Sequence, residues 1–240
     1  MSKLRATNIE PNSGTTLTLG ASGDAALISS DSLKANTWQD VGGNNYWVSN
    51  GSGTVSNVNG ALAGGGMTLI STNPLNNVGF ANIGGMSAAY DEYWWVFQNM
   101  HADSNDTILR FKTTSDNFSS WGQNILTAGI YTSNYENTVN VSWGVSGTYS
   151  VYDTTDHQQI MEGMNNGGSS GGCGILKIYN PGSTVYSKQW TFEASFRRHN
   201  PSLNGILIGG HINVATAVDG IRFYMSSGNF DGTIDVYGVA

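Results

Sequence analysis

Gly220-Ile221-Arg222-Phe223-Tyr224-Met225-Ser226-Ser227-Gly228-Asn229-Phe230-Asp231-Gly232-Thr233-Ile234-Asp235-Val236-Tyr237-Gly238-Val239-Ala240 is the stretch that decides the fold class. Ile221, Phe223 and Met225 alternate with Arg222 and Tyr224, the two-residue period of a strand with one buried face. Ser226 to Asn229 supplies turn chemistry. Ile234, Val236 and Gly238 then alternate with Thr233, Asp235 and Tyr237. The spacing predicts a terminal β-hairpin, and a chain that ends inside its sheet is expected to have that end tied into the core.

Composition agrees with an all-β protein. Gly is 32 of 240 residues and only 11% are charged, unlike a helical chain rich in Ala, Glu, Lys and Leu. Seven Trp and 11% aromatics argue against disorder, because disordered chains lack the large apolar side chains that offset ordering entropy. The net charge is −7, and the ten Lys and Arg are scattered along the sequence. No basic stripe is available to displace counterions from phosphates, so nucleic-acid binding is not expected. An anionic membrane surface would also repel the chain. No run approaches the ~20 apolar residues of a membrane helix, so membrane insertion is not expected. Met1-Ser2-Lys3-Leu4-Arg5 leads into polar residues without an apolar core segment, so no signal peptide is expected. Cys173 is the single cysteine and cannot form an intrachain disulfide.

The chain reads as three segments. Residues 1–50 form a small N-terminal β-module, in which Leu17 and Leu19 alternate with Thr16 and Thr18. Such a segment has too few apolar residues to bury a core alone, which points to a homo-oligomer, a trimer first of all. Residues 51–66 are a Gly/Ser/Asn-rich connector. Residues 67–240 show strand signals at the spacing of an antiparallel β-sandwich. Trp190, Phe192, Ala194 and Phe196 alternate cleanly with Thr191, Glu193, Ser195 and Arg197. Glu92 to Met100 differs: Tyr93, Trp95 and Phe97 lie on one face, and Trp94 and Val96 on the other. Both faces are apolar, so Trp94 and Val96, with Leu17 and Leu19, are candidate oligomer-interface residues. Asp156 to Asn165 is the best candidate for a helix.

Three segments also carry a resemblance. They are the C-terminal Ile221-Arg222-Phe223, Ser226-Ser227-Gly228-Asn229-Phe230, Gly232-Thr233-Ile234 and Val236-Tyr237-Gly238 pattern, the stretch Asn8 to Asp24, and Ala89-Tyr90-Asp91-Glu92-Tyr93. Together these resemble a jelly-roll-like β-domain of bacteriophage tail-fibre and other virion proteins, especially from phages of marine bacteria, with a short N-terminal β-module ahead of it. The resemblance implies a jelly-roll-like fold, a location in the virion after synthesis in the host cytoplasm, and other virion proteins as partners.

Catalytic signatures are absent from the sequence. His101, His157, His199 and His211 have no local zinc spacing to each other or to Cys173. No Gly-x-Ser-x-Gly elbow is present, and the run Gly163 to Gly174 lacks the Gly-Lys-Ser/Thr ending of a phosphate loop. Asp103-Ser104-Asn105-Asp106 and Asp153-Thr154-Thr155-Asp156 are acidic loops, the sites at which calcium would be expected if any metal binds. Asp91 and Glu92 are neighbours and would point to opposite faces of a strand, which a pair of glycosidase carboxylates cannot do. Trp121, Tyr131, Tyr135, Tyr149 and Tyr152 lie in or near segments rich in Asn and Ser, a composition suited to stacking on sugars. The expectation is a non-enzymatic structural component of a tailed-phage virion that acts by oligomeric interface burial and needs no cofactor. A module recognising a host surface polysaccharide through those aromatics is the alternative, and a glycan-cleaving tail protein the third.

Overall fold

The computed structural model describes residues 66–240 except 153, together with the backbone of three short upstream strands. The chain divides into two units, Met1–Ala63 and Gly64–Ala240. In the first, β1 (Thr37–Gln39), β2 (Asn45–Ser49) and β3 (Val55–Ser56) form an antiparallel sheet in that order. Leu17 and Leu19 lie outside the described residues.

The second unit is built of strands alone. They are β4 (Met67–Val78), β5 (Phe80–Gly84), β6 (Glu92–Ala102), β7 (Thr107–Thr114), β8 (Ile125–Tyr135), β9 (Val141–Val145), β10 (Gln158–Met164), β11 (Gly172–Tyr179), β12 (Lys188–Arg197), β13 (Ser202–Ile212), β14 (Gly220–Met225) and β15 (Phe230–Val239). An eight-stranded antiparallel sheet runs β4-β15-β6-β11-β12-β13-β8-β9, and a four-stranded one runs β10-β7-β14-β5. Successive pairs β4/β5, β6/β7, β10/β11 and β14/β15 each fall in opposite sheets. The order β4-β15-β6-β11 over β5-β14-β7-β10 is the double Greek key of a jelly roll. The larger sheet is then extended by β12 and β13, inserted between β11 and β14, and by β8 and β9, inserted between β7 and β10.

This topology corrects the terminal hairpin. β14 pairs with β5 and β7, whereas β15 pairs with β4 and β6. Ser226 to Asn229 is therefore an arch that carries the chain from one sheet to the other. Alternation reports that a strand has one buried face; it does not report which neighbour the strand pairs with. Both strands bury their apolar residues in one core from opposite sides. The arch is anchored by Thr107, whose Oγ1 donates to Ser227 O at 3.0 Å, and by Ser226, whose Oγ accepts the Ile108 N–H at 3.0 Å. Gly228 takes a φ of 71° there, beside Asp103 and Ser104, where a Cβ would collide with both side chains.

Asp156 to Asn165 is corrected from helix to strand. It contains β10, which pairs with β7 through register shifts between Gln159 and Met161 and between Met161 and Met164. Each bulge adds a residue and breaks the two-residue period. The buried Ile160, Met161 and Met164 therefore sit at spacings that imitate one face of a helix.

Rings from both sheets fasten the core. Phe97 of β6 meets Phe223 of β14 edge to face at 5.0 Å and Phe192 of β12 at 5.8 Å. Phe111 of β7 meets Trp190 of β12 edge to face at 5.1 Å. At the rim, the ammonium of the buried Lys188 lies 2.6 to 3.2 Å from the carbonyls of Ser183, Tyr186, Val214 and Ala215, tying two loops together.

β15 lies between β4 and β6 rather than at an edge. Deleting Thr233 to Ala240 will expose unpaired backbone on both neighbours and bare the core under Ile234 and Val236. Loss of the soluble protein on expression is the expected result; a soluble truncated chain with the parent melting temperature would contradict this role for β15.

Candidate functional site

The outer face of the larger sheet carries a row of apolar side chains that is interrupted by the exposed Glu193 and ends at Asp235. Cross-strand register aligns Asp235, Val96, Ile175, Glu193, Leu207, Ile130 and Val145 across seven strands. A shallow groove of about 710 Å³ follows this row, with Cys173, Ser195 and Gly205 giving it a low floor. Leu207 and Ile130 are about half exposed, at 51% and 49%, and Trp143 on β9 is 82% exposed. Val96 is half-buried in this groove. Trp94 is also half-buried on that face, but its own chain already covers it. Its Nε1 donates to Glu92 Oε2 at 2.7 Å, and the Lys177 ammonium lies 4.1 Å from its ring centroid. Sequence reasoning missed Ile175, Leu207, Ile130 and Val145. A signal was present in Ile206-Leu207-Ile208, an uninterrupted apolar run that marks a strand with two apolar faces.

On the opposite face, Tyr131, Ser133 and Tyr135 follow one another at two-residue spacing along β8. They line a cleft of about 350 Å³ with Asn204 of β13, Glu162 of β10 and Arg198. Asn204 stands directly across from Ser133. The Arg198 guanidinium lies 3.9 Å from the Glu162 carboxylate. Ser133 and Asn204 are 5% and 2% exposed, and neither Ser133 Oγ nor Arg198 Nε has a hydrogen-bond partner among the described residues. Unsatisfied buried polar groups cost about 1–3 kcal/mol each, so they are uncommon without a purpose.

Of the five candidate sugar-contacting aromatics, Tyr131, Tyr135 and Tyr149 meet at this cleft. Tyr149 is corrected from contact to support. It is 1% exposed, so its ring cannot present a face to a ligand. Its hydroxyl accepts the Glu162 N–H at 3.0 Å, its carbonyl accepts from Thr127 Oγ1 at 2.8 Å, and burial pushes its phenol well above the ordinary range. Gly129 makes room for it: a Cβ there would stand 2.5 Å from the Tyr149 Cβ. Tyr152 is 86% exposed and does not line the cleft.

Trp121 lies apart from these, against the outer face of the smaller sheet. Its ring centroid is 4.3 Å from the Arg222 guanidinium carbon. The loop that carries it is set by two residues. Phe118, at a φ of 68°, packs against Gly220 and Gly84, where any Cβ would strike its ring. Asp116 accepts from Thr114 Oγ1 at 2.7 Å, from the Ser120 N–H at 2.9 Å and from the Ser120 hydroxyl. The Ser120 side chain above all, then Thr114, lowers the Asp116 pKa from 3.8 to about 2.

In the acidic loops, Asp106 and Asp156 already have side-chain partners. Asp106 Oδ1 lies 2.9 Å from His199 Nδ1, and Asp156 lies 3.2 Å from the Lys112 ammonium and 2.6 Å from His157 Nδ1. Asp153 is outside the described residues. Among the described residues no three His, Cys, Asp or Glu are grouped to hold a metal ion, and no helix is long and apolar enough to cross a membrane. No protein-family model matches the chain, and no curated protein matches it.

Asp116 provides a direct check of this geometry. A carboxyl with a lowered folded pKa stabilises the fold above its unfolded value and stops doing so as pH falls through its folded value. The contribution of Asp116 is therefore fully present above pH 3.8 and lost towards about pH 2. Carbon-detected NMR titration should find its midpoint near 2, and Ser120→Ala should move that midpoint upward. A midpoint at the ordinary 3.8 in the parent protein would show that the loop is not held this way.

Proposed function

We propose that this chain is a non-enzymatic structural component of a tailed-phage virion, a tail fibre, head fibre or capsid decoration, and that it assembles with copies of itself through the outer face of its larger sheet. One observation carries this reading: the row of Val96, Ile175, Leu207, Ile130 and Val145, interrupted only by Glu193, ends on an edge strand whose Val141, Trp143 and Val145 are all exposed. Broad exposed apolar surface marks an interaction site, and an open apolar edge is a liability unless a partner covers it. The strand order of a jelly roll, a fold used in viral capsids and lectins, supports the virion setting, as does the resemblance of the C-terminal pattern. The trimer, the other virion partners and the virion location belong to the same proposal.

Sedimentation of the purified chain tests the assembly. The parent protein should sediment as an oligomer, a trimer first of all. Ile130→Asp and Leu207→Asp should each shift it to monomer at micromolar concentration with little change in melting temperature, because neither side chain is in the core. Trp94→Asp should act less, since Lys177 and Glu92 already cover that ring. A monomeric parent protein would overturn the reading. Localising the chain in an image reconstruction of the particle tests the virion setting.

A second reading, recognition of a host surface polysaccharide, is favoured by the cleft of Tyr131, Tyr135, Ser133 and Asn204. Its unpartnered polar atoms and its two ring-bearing walls suit a neutral sugar. Glu162 is the one carboxylate lining it and is turned toward Arg198, whereas the usual glycosidase uses two carboxylates. Binding without cleavage is therefore the form this reading takes. On a panel of neutral oligosaccharides, Tyr135→Ala should weaken the best ligand at least tenfold and Tyr152→Ala should leave it unchanged. Equal losses in both variants would remove the cleft from consideration.

A further inference from the structure

The outer face of the smaller sheet collects positive charge that the sequence scatters. Register sets Arg222 of β14 directly opposite Lys112 of β7, with Tyr224 opposite Arg110 two pairs further on and on the same face. Like charges facing each other across strands destabilise a sheet. Here they occur in a chain of net charge −7 that has only ten Lys and Arg in all. Lys112 has a counter-ion in Asp156. Arg110 and Arg222 have no carboxylate partner among the described residues, and Arg110 Nε has no hydrogen-bond partner there. Burial first, and then the Arg110 charge, hold His157 below the ordinary histidine range, so at neutral pH it adds little charge to this face.

Arg222 is fixed in place. Its Nε donates to Asn82 Oδ1 at 2.7 Å. Its guanidinium carbon lies 4.6 Å from the ring centroid of Phe80 and 4.3 Å from that of Trp121. Among the described residues the bond to Asn82 is the only one it makes, so its terminal nitrogens keep their donors. A cavity of about 210 Å³ opens beside it, lined by Gly79, Phe80, Lys112, Trp121, Arg222 and Tyr224. That is below the ~300 Å³ at which drug-sized sites begin, so it suits one ring-sized group. A guanidinium held rigidly with its fork unspent is suited to a bidentate carboxylate.

We propose that this face binds the carboxylate of a uronate sugar, with Arg222 as the donor, Lys112, shared with Asp156, as the neighbouring charge, and Phe80 and Tyr224 lying against the C–H face of the ring. The rings favour a sugar acid over an acidic peptide, and the net charge of −7 disfavours a nucleic acid. Trp121 then serves to position Arg222, and Asp116 holds the loop that carries Trp121. The site is separate from the neutral-sugar cleft and from the apolar outer face, and it stands whether or not either reading holds.

Calorimetric titration of the full chain with tetragalacturonate, and with its fully methyl-esterified form, tests this. The acid should bind, and the ester, which keeps the rings and loses the charges, should bind at least tenfold more weakly. Arg222→Gln and Lys112→Gln should each weaken the acid at least tenfold. Lys112→Gln provides the cleaner comparison, because Arg222 also packs against two rings; the melting temperature of Lys112→Gln should match the parent's. Three results would each overturn the proposal: no binding of the acid at millimolar concentration, equal binding of acid and ester, or unchanged affinity in both variants. A single-stranded DNA 20-mer, an oligoglutamate or a sulfated oligosaccharide binding as tightly as tetragalacturonate would also overturn it, and would reassign the face as a general anion patch.

Discussion

The contact between Phe97 and Phe223 joins the two sheets, and the architecture depends on it. Both side chains are essentially without solvent exposure, and their rings meet edge to face at 5.0 Å. Such a pair adds about 0.5–1.5 kcal/mol beyond the burial of its apolar area. Phe192, Phe111 and Trp190 continue the cluster outward from it. Four strands can cover only part of eight, however. The part of the larger sheet that extends past the small one needs its own cover, and the segment around Tyr149 supplies it for Gly129 and Ile208. The cleft at Tyr131 and Tyr135 lies at that seam. The mismatch in sheet size therefore creates the site, and β8, β9 and β13, which line it or border it, are insertions into an otherwise complete jelly roll.

Much of the sandwich was legible in the sequence, because each strand states its buried face by alternation. The run Trp190 to Arg197 is the clearest case: Trp190, Phe192 and Phe196 are buried, Glu193 and Ser195 are exposed, and Thr191 and Arg197 are half-buried. Pairing was less legible. Ile221 to Met225 and Ile234 to Gly238 both alternate, yet nothing in either run says that they belong to different sheets. Bulges hid β10 by shifting Met161 and Met164 out of phase. Of the candidate sites, Tyr131 and Tyr135 share a face because they lie four residues apart on one strand, which sequence can reveal. That Asn204 faces Ser133, or that Arg198 reaches Glu162, depends on pairing over long separations. The charge on the smaller sheet was legible only in part for the same reason. Arg110 and Lys112 share a face at two-residue spacing on β7, and Arg222 joins them only through the β7–β14 register.

The polar side chains divide into two kinds. Lys188 is buried and surrounded by carbonyl groups, so its charge is spent on holding two loops. Asp116 is likewise spent, on Thr114 and Ser120. Ser133 and the fork of Arg222 retain unspent capacity beside open space. A folded chain gains stability by satisfying such groups internally, and leaving them free is what gives a surface something to offer a ligand.

The place of β15 in the middle of its sheet also governs how the fold can form. Asn73 donates to the carbonyl of Ile234, 161 residues further along, and the whole β4–β15 ladder spans a similar separation. Loop-closure entropy must be met before such a ladder returns any free energy, and topologies rich in these contacts fold slowly, over milliseconds to seconds. Until β15 arrives, β4 and β6 stand as open edges on either side of an empty lane. The unit is then at its most prone to pair with the wrong chain. Strand β15 is thus a latch as well as a core element: nascent or heat-shocked chains should depend on fast completion, on dilution or on a chaperone, long after most of their hydrophobic surface has collapsed.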